Sequence, residues 1–151
     1  MQIMAETTKT HKQAIQITGE APKPLGNYSH AIKAAGLLFV SGQGARDPRT
    51  GKERGVVLDS AGNVVEYDIA EQTRAVLNNL NNVLQQAGCS LRDLVDVSVF
   101  LKDMSDFAEY NEVYSEYFSF ENPPARTTVQ VAGLPGNNFI EIKAIAAYPT
   151  T

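Results

Sequence analysis

Arg126 stands in NPPART, at residues 122–127, behind two prolines that fix the chain at what reads as a strand entry. A guanidinium on such a lead-in presents a planar fork of donors that fits a carboxylate through two parallel bonds. Glu141 lies in IEIK, where Ile140, Ile142, Ala144 and Ala146 share one face and Glu141 shares the other with Phe139, Lys143 and Ile145. An anion anchor together with a carboxylate that can orient or deprotonate water supplies the parts of a hydrolytic site for a small acid. Tyr28 in GNYSHA and Asn111 in EYNEVY are lesser polar candidates. The loop 45–55 adds Arg46, Arg49, Lys52 and Arg54 against Asp47 and Glu53, a local surplus of 4 − 2 = +2 in an otherwise acidic chain. Taken singly, each of these groups also reads as an ordinary surface or packing residue, and only their combination suggests a site.

Metal and cofactor chemistry finds few residues to work with. The chain has two histidines, His11 and His30, and one cysteine, Cys89, with no CxxC of the kind a zinc deaminase uses. It lacks a GxGxxG or GxxxxGK loop for a nucleotide, so neither a metal nor an organic cofactor is expected. A net charge of −4 leaves no cationic excess to neutralise a phosphate backbone, and nucleic acid is not an expected partner. The polar start, residues 1–13, lacks the apolar stretch of about 7–15 residues of a secretory signal, and no apolar run of about 18 follows. One cysteine makes no intrachain disulfide. These features point to a cytoplasmic protein, off the membrane, acting on a small molecule.

The elements that must position these groups can be read from periodicity. With 151 residues, 43% of them hydrophobic, the chain fits a polar tail over 1–13 and a single domain over 14–151. Alternation predicts strands over 14–18, 30–34 and 37–41, the last two joined at Ala35 and Gly36. A turn-rich loop follows, with DPRTG at 47–51, and DSAGN at 59–63 separates the two arms of a small hairpin, 56–58 and 64–67. Ile69, Val76, Leu80, Val83, Leu84 and Ala87 make one stripe of a helix opposite Glu71, Arg74, Asn78 and Gln85. Asp68 and Glu71 stand at capping-box spacing and Gly88 at a left-handed end. Val95, Val97, Val99 and Leu101 predict a half-buried strand, 106–118 a helix carrying six apolar or aromatic residues, and 127–132 and 139–148 the closing strands. Strand, helix, strand over 95–132 forms a crossover, which favours a parallel pair among antiparallel hairpins. The expected fold is α+β, a mixed sheet with two helices on one face. Its other face must then be polar or covered by a second chain.

NPPARTTVQVAGLPGNNFIEIKAIA at 122–146 closely resembles the C-terminal signature of the RidA (YjgF) family, and YSHA at 28–31, SGQ at 41–43, AGC at 87–89 and DFAEYNEVYSEYF at 106–118 fall in that family's order. The resemblance covers roughly residues 21–149 and implies a chorismate-mutase-like sandwich that assembles as a homotrimer with a site in each cleft between subunits. By position it implies that Arg126 binds the substrate carboxylate, Glu141 directs water, and Tyr28, Gly42 through its backbone, and Asn111 contact substrate, with Thr128 beside them. Many members carry Ser, Ala or Cys at the two positions after the arginine. Here these are Thr127 and Thr128, so a mechanism that needs a thiol there does not apply. Cys89, at a helix end, reads as a small packing residue, and His30 has no catalytic role assigned.

GARDPRTGKE at 44–53, the insertion that follows it, and TTVQVAGLPG at 127–136 look most similar to the 2-aminomuconate deaminase branch. That resemblance implies hydrolysis of 2-aminomuconate to 2-oxohex-3-enedioate and ammonia, with no metal or cofactor. A dicarboxylate asks for a second cation, and Arg46 and Arg49 are the expected candidates in the loop, Arg54 a third. The alternatives are a generalist 2-imino acid deaminase, a ligand-binding regulator that keeps Arg126 but does not need Glu141, and an endoribonuclease, against which the acidic charge and the absence of paired histidines argue.

Overall fold

Alternation at Ile140–Ala147 buries Ile140, Ile142, Ala144 and Ala146 and turns Glu141, Lys143 and Ile145 the other way, which makes this strand a two-faced sheet member. The computed structural model describes residues 11–148. Its strands are β1 (Lys12–Ile15), β2 (Ala31–Ala34), β3 (Leu37–Gln43), β4 (Val56–Leu58), β5 (Val64–Tyr67), β6 (Leu94–Leu101), β7 (Ala125–Gln130) and β8 (Ile140–Ala147), and its helices are α1 (Ile69–Gln86) and α2 (Phe107–Tyr117). Six strands form one sheet in the order β1-β2-β3-β8-β6-β7, while β4 and β5 form a separate hairpin. Every neighbouring pair in the large sheet is antiparallel except β6 with β7, which α2 connects as a crossover. The α+β expectation holds. β1 starts two residues inside the expected tail, because Lys12 and Gln13 pair with Ala34 and Lys33; residues 1–10 and 149–151 lie outside the described residues.

Both ends of α1 are written in the sequence. The Asp68 carboxylate accepts from the Glu71 amide at 3.1 Å and caps the first turn. Glu71 does not complete a capping box; its carboxylate lies 4.0 Å from Arg54. At the other end Gly88 takes φ +85°, the Cys89 amide reaches back to the Leu84 carbonyl, and the Gly88 amide to that of Gln85, a Schellman closure that only a left-handed residue permits. Cys89 is thereby buried behind the helix, its thiol pushed up by burial and by nearby Asp93, a packing residue as expected. α1 lies over β3 and β8, and Val76, Leu80, Val83 and Leu84 are wholly buried there.

α2 sits beside α1, tied by the Arg74–Glu116 ion pair and by Tyr117, whose hydroxyl donates to Asn78 at 3.1 Å. Its inner face buries Tyr110, Val113 and Tyr114, whereas Phe107 stays partly exposed at the helix start. Both helices therefore cover one face of the sheet, and the core lies between. Row by row, the opposite face carries Ile32, Phe39 and Ile145 as one line of partners and Glu141, Phe100 and Val129 as another. Phe39 and Val129 are 38% and 42% exposed, so in a single chain this face presents apolar surface to water. One expected alternation fails. A register shift between Leu94 and Asp96 turns Val95 outward, and Leu94, not Val95, joins Val97, Val99 and Leu101 in the core.

Candidate active site

The position of Glu141 follows from a bulge. Val40 pairs with Ala144 but Gln43 with Ile142, so β3 accommodates one residue more than β8 between them, at Ser41 and Gly42. The irregularity brings the Gly42 backbone against Glu141, and a Cβ at Gly42 would stand 2.7 Å from Glu141 Oε2. With Glu141 in this position only glycine leaves room at 42, through close approach and without any unusual dihedral. Glu141 forms no hydrogen bond or ion pair among the described residues, and desolvation pushes its carboxyl above its ordinary value. A carboxylate of this kind is a better base than an exposed one, and it lacks a competing partner.

Glu141 lines a cavity of about 220 Å³, together with Tyr28, Gly42, Arg46, Lys23 and Glu53. Tyr28 is held by the Leu25 amide, which donates to its hydroxyl at 3.1 Å and leaves the phenolic hydrogen free. His30, buried behind the cavity, accepts from the Ile17 amide at 3.1 Å through Nδ1 and donates from Nε2 to the Pro22 carbonyl at 2.8 Å. Both ring nitrogens are thus engaged in folding residues 17–22 over β2, a structural role. Asn138 closes the cavity floor by accepting from the Ala45 amide at 2.7 Å and donating to the Pro135 carbonyl at 2.8 Å.

Arg126 is held on the other face of the sheet. It pairs in register with Val97, while Glu141 pairs with Phe100, three residues further along β6, so the two side chains leave opposite faces. Arg126 Nη1 donates to Asn111 Oδ1 at 2.8 Å, and the guanidinium lies over the Tyr114 ring at 4.6 Å, with Tyr110 and Phe107 next to it. No carboxylate pairs with it among the described residues. Tyr114 is neutral, its pKa pushed up to about 12 by burial, and its hydroxyl has no partner among the described residues. Thr128, two residues along β7, shares this face, where its hydroxyl bonds that of Tyr110.

The structure thus assembles two half-sites. Tyr28, Gly42, Arg46 and Glu141 form one, while Asn111, Arg126 and Thr128 form the other, with a sheet between them. Arg49 joins neither: it is 82% exposed, lies 3.6 Å from Asp47, and lines a groove against α1 with Arg54. Lys23, in the irregular stretch before β2, lines the first cavity without a signal in the sequence, and Tyr110 and Tyr114 read there only as apolar helix positions. Hydroxyls at i and i+4 on a helix face, next to Asn111, were the available signal. Among the described residues no group of three His, Cys, Asp or Glu side chains is placed to hold a metal ion, and no helix is long and apolar enough to cross a membrane.

Known proteins share this architecture. Residues 18–148 match the family model described as Endoribonuclease L-PSP. A RutC family protein of Pyrococcus horikoshii is 50% identical over 129 residues, 85% of this chain and 93% of its own length. The 2-iminobutanoate/2-iminopropanoate deaminase of Rattus norvegicus is 40% identical over 129 residues, 85% of each chain. The crystal structure of the YjgF gene product from E. coli superposes with a TM-score of 0.76 at 34% identity, over 89% of this chain and 98% of that one. The fold, the family model and these relatives together lead to one conclusion, that the chain belongs to the RidA (YjgF) family.

Proposed function

We propose that this protein hydrolyses the C=N bond of 2-imino acids and releases ammonia, in clefts where Arg126 of one copy meets Glu141 of another. The observation that carries the reading is a pair of charges without an ion pair among the described residues: the Arg126 guanidinium on one sheet face and the desolvated Glu141 carboxylate on the other. The apolar rows on the uncovered face favour association, and a homotrimer closes three such clefts by rotation. The substrate carboxylate binds Arg126 through two bonds, which fixes the neighbouring C2=N carbon. Starting from the protonated imine, Glu141 takes a proton from water as its oxygen adds to C2 and returns it to nitrogen; as the C–N bond breaks and C=O forms, the hydroxyl proton passes back to Glu141 and ammonia leaves. The phenolic hydrogen of Tyr28 is available to the nitrogen or the carboxylate. The rat relative's name supports this substrate class.

Within the class, 2-aminomuconate is the preferred substrate, converted as its imine tautomer to 2-oxohex-3-enedioate. Its second carboxylate needs a cation near Glu141, and Arg46 and Lys23 line that cavity. Arg49 and Arg54 face Asp47 and Glu71 instead. Ammonia release from 2-aminomuconate and from 2-iminobutanoate tests both levels. Arg46→Ala is expected to impair the first substrate selectively, and Arg49→Ala neither. If Arg46→Ala affects both substrates alike, the generalist deaminase stands and the dicarboxylate preference falls. Release from neither by the wild-type protein would leave a ligand-binding regulator, or, with RNA cleavage in its place, the activity in the family model's description.

A further inference from the structure

α2 holds the Arg126 half-site through consecutive residues. Asn111 bonds the Arg126 guanidinium at 2.8 Å, and Tyr110 bonds the Thr128 hydroxyl. Arg126 and Thr128 are two apart on β7 and leave the same face, and Tyr110 is completely buried beneath them. We propose that Tyr110 is a positioning residue that fixes the Thr128 hydroxyl as a second donor to the carboxylate bound by Arg126; this rests on the imino acid reading above.

The direction of the bond follows from counting hydrogens. Each hydroxyl has one, and the pair uses one. If Thr128 donated, the Tyr110 hydrogen would be stranded in the core, since its hydroxyl has no other partner among the described residues. With Tyr110 donating, the Thr128 hydrogen remains free, and Thr128 is only half-buried. One Thr128 lone pair is then occupied, which restricts the hydroxyl rotor and aims its hydrogen away from the core. Arg126 is the cation next to it, so the acceptor it meets is an oxygen of the anion that Arg126 attracts. Phenylalanine at 110 would leave the ring packing against Phe107 and Tyr114 in place and release only the rotor.

The test is calorimetric titration with 2-oxobutanoate, a 2-oxo acid with the carboxylate of the proposed product class, alongside turnover of 2-iminobutanoate. Releasing a rotor with three staggered wells should weaken binding about threefold in Tyr110→Phe, with KM raised to match and kcat kept. Thr128→Val should weaken it roughly tenfold or more, Thr128→Ser should restore it, and Tyr110→Phe should add nothing in the Thr128→Val background. Wild-type affinity in Tyr110→Phe or in Thr128→Val overturns the inference, as does a further loss on adding Tyr110→Phe to Thr128→Val, which would mean that Tyr110 acts by packing. In each of those cases wild-type turnover leaves the imino acid reading intact. If the wild-type protein neither binds 2-oxobutanoate nor releases ammonia, both fall.

Discussion

Gly42→Ala is the smallest change that separates catalysis from folding. The new Cβ would lie 2.7 Å from Glu141 Oε2 and 3.0 Å from its Cδ, against an ordinary contact of 3.4 Å or more, so the carboxylate must withdraw by at least 3.4 − 2.7 = 0.7 Å. The atom that gives way is the free end of a side chain with no partner to break, and Gly42 has no positive φ for alanine to strain. Alanine also restricts the unfolded chain, a gain of about 0.4–1 kcal/mol that offsets the displacement, so net stability should change by less than about 1 kcal/mol. Catalysis is less tolerant, since productive geometry holds within about 0.5 Å and a misplacement of about 1 Å reduces rate roughly 10²-fold. The expected result is a kcat for 2-iminobutanoate reduced about 10- to 100-fold, a KM changed little, and a melting temperature near that of the wild type. Steady-state ammonia release and thermal unfolding measure the two sides. Wild-type kcat in a folded Gly42→Ala protein would refute the reasoning that the bulge places Glu141 for chemistry.

Other expectations concern the two anchoring charges. Glu141→Gln keeps size but removes the base, so kcat should fall about 10²–10⁴-fold while 2-oxobutanoate still binds. Burial raises the Glu141 carboxyl above 4.5, so the folded state holds that proton more tightly than the unfolded one and stability declines as pH rises through the raised value. Glu141→Gln should therefore melt above the wild type at neutral pH, with the gap closing below pH 4.5; an unchanged gap across that range would count against the burial. Arg126→Lys keeps the charge but loses the fork, roughly 1.5–3 kcal/mol in ground and transition states alike, so KM should rise about 10- to 100-fold with kcat nearly kept.

Periodicity made most of the fold legible. The stripe of α1, its cap at Asp68 and its closure at Gly88, and the alternation at Ile140–Ala146 depend on local sequence alone, and the structure contains each of them. The β6-α2-β7 crossover also followed from element order. Features that depend on a register between distant strands were hidden. The bulge at Ser41 and Gly42 exists only in relation to β8, and the shift that exposes Val95 likewise. For the site, the resemblance implied Arg126, Glu141, Tyr28, Gly42 and Asn111, with Thr128 beside them, but not that they divide between two faces of the sheet. That division depends on β6 separating β7 from β8 and on pairings three residues apart. Arg46 and Arg49, with Arg54 third, were the candidates of the 45–55 loop; the Asp47 turn holds Arg49, Glu71 on α1 faces Arg54, and of the three only Arg46 lines the Glu141 cavity.

Whether one site draws on two copies is tested most directly by mixing inactive variants. Arg126→Ala and Glu141→Gln proteins, unfolded together in equal amounts and refolded, should assemble at random. In a closed ring where each cleft takes Arg126 from one copy and Glu141 from its neighbour, about one cleft in four receives both intact groups. Recovery of roughly one quarter of wild-type ammonia release is expected, although each variant refolded alone stays inactive. Mixed assemblies that remain as inactive as the separate variants would contradict a shared site, and would return the whole reaction to a single chain.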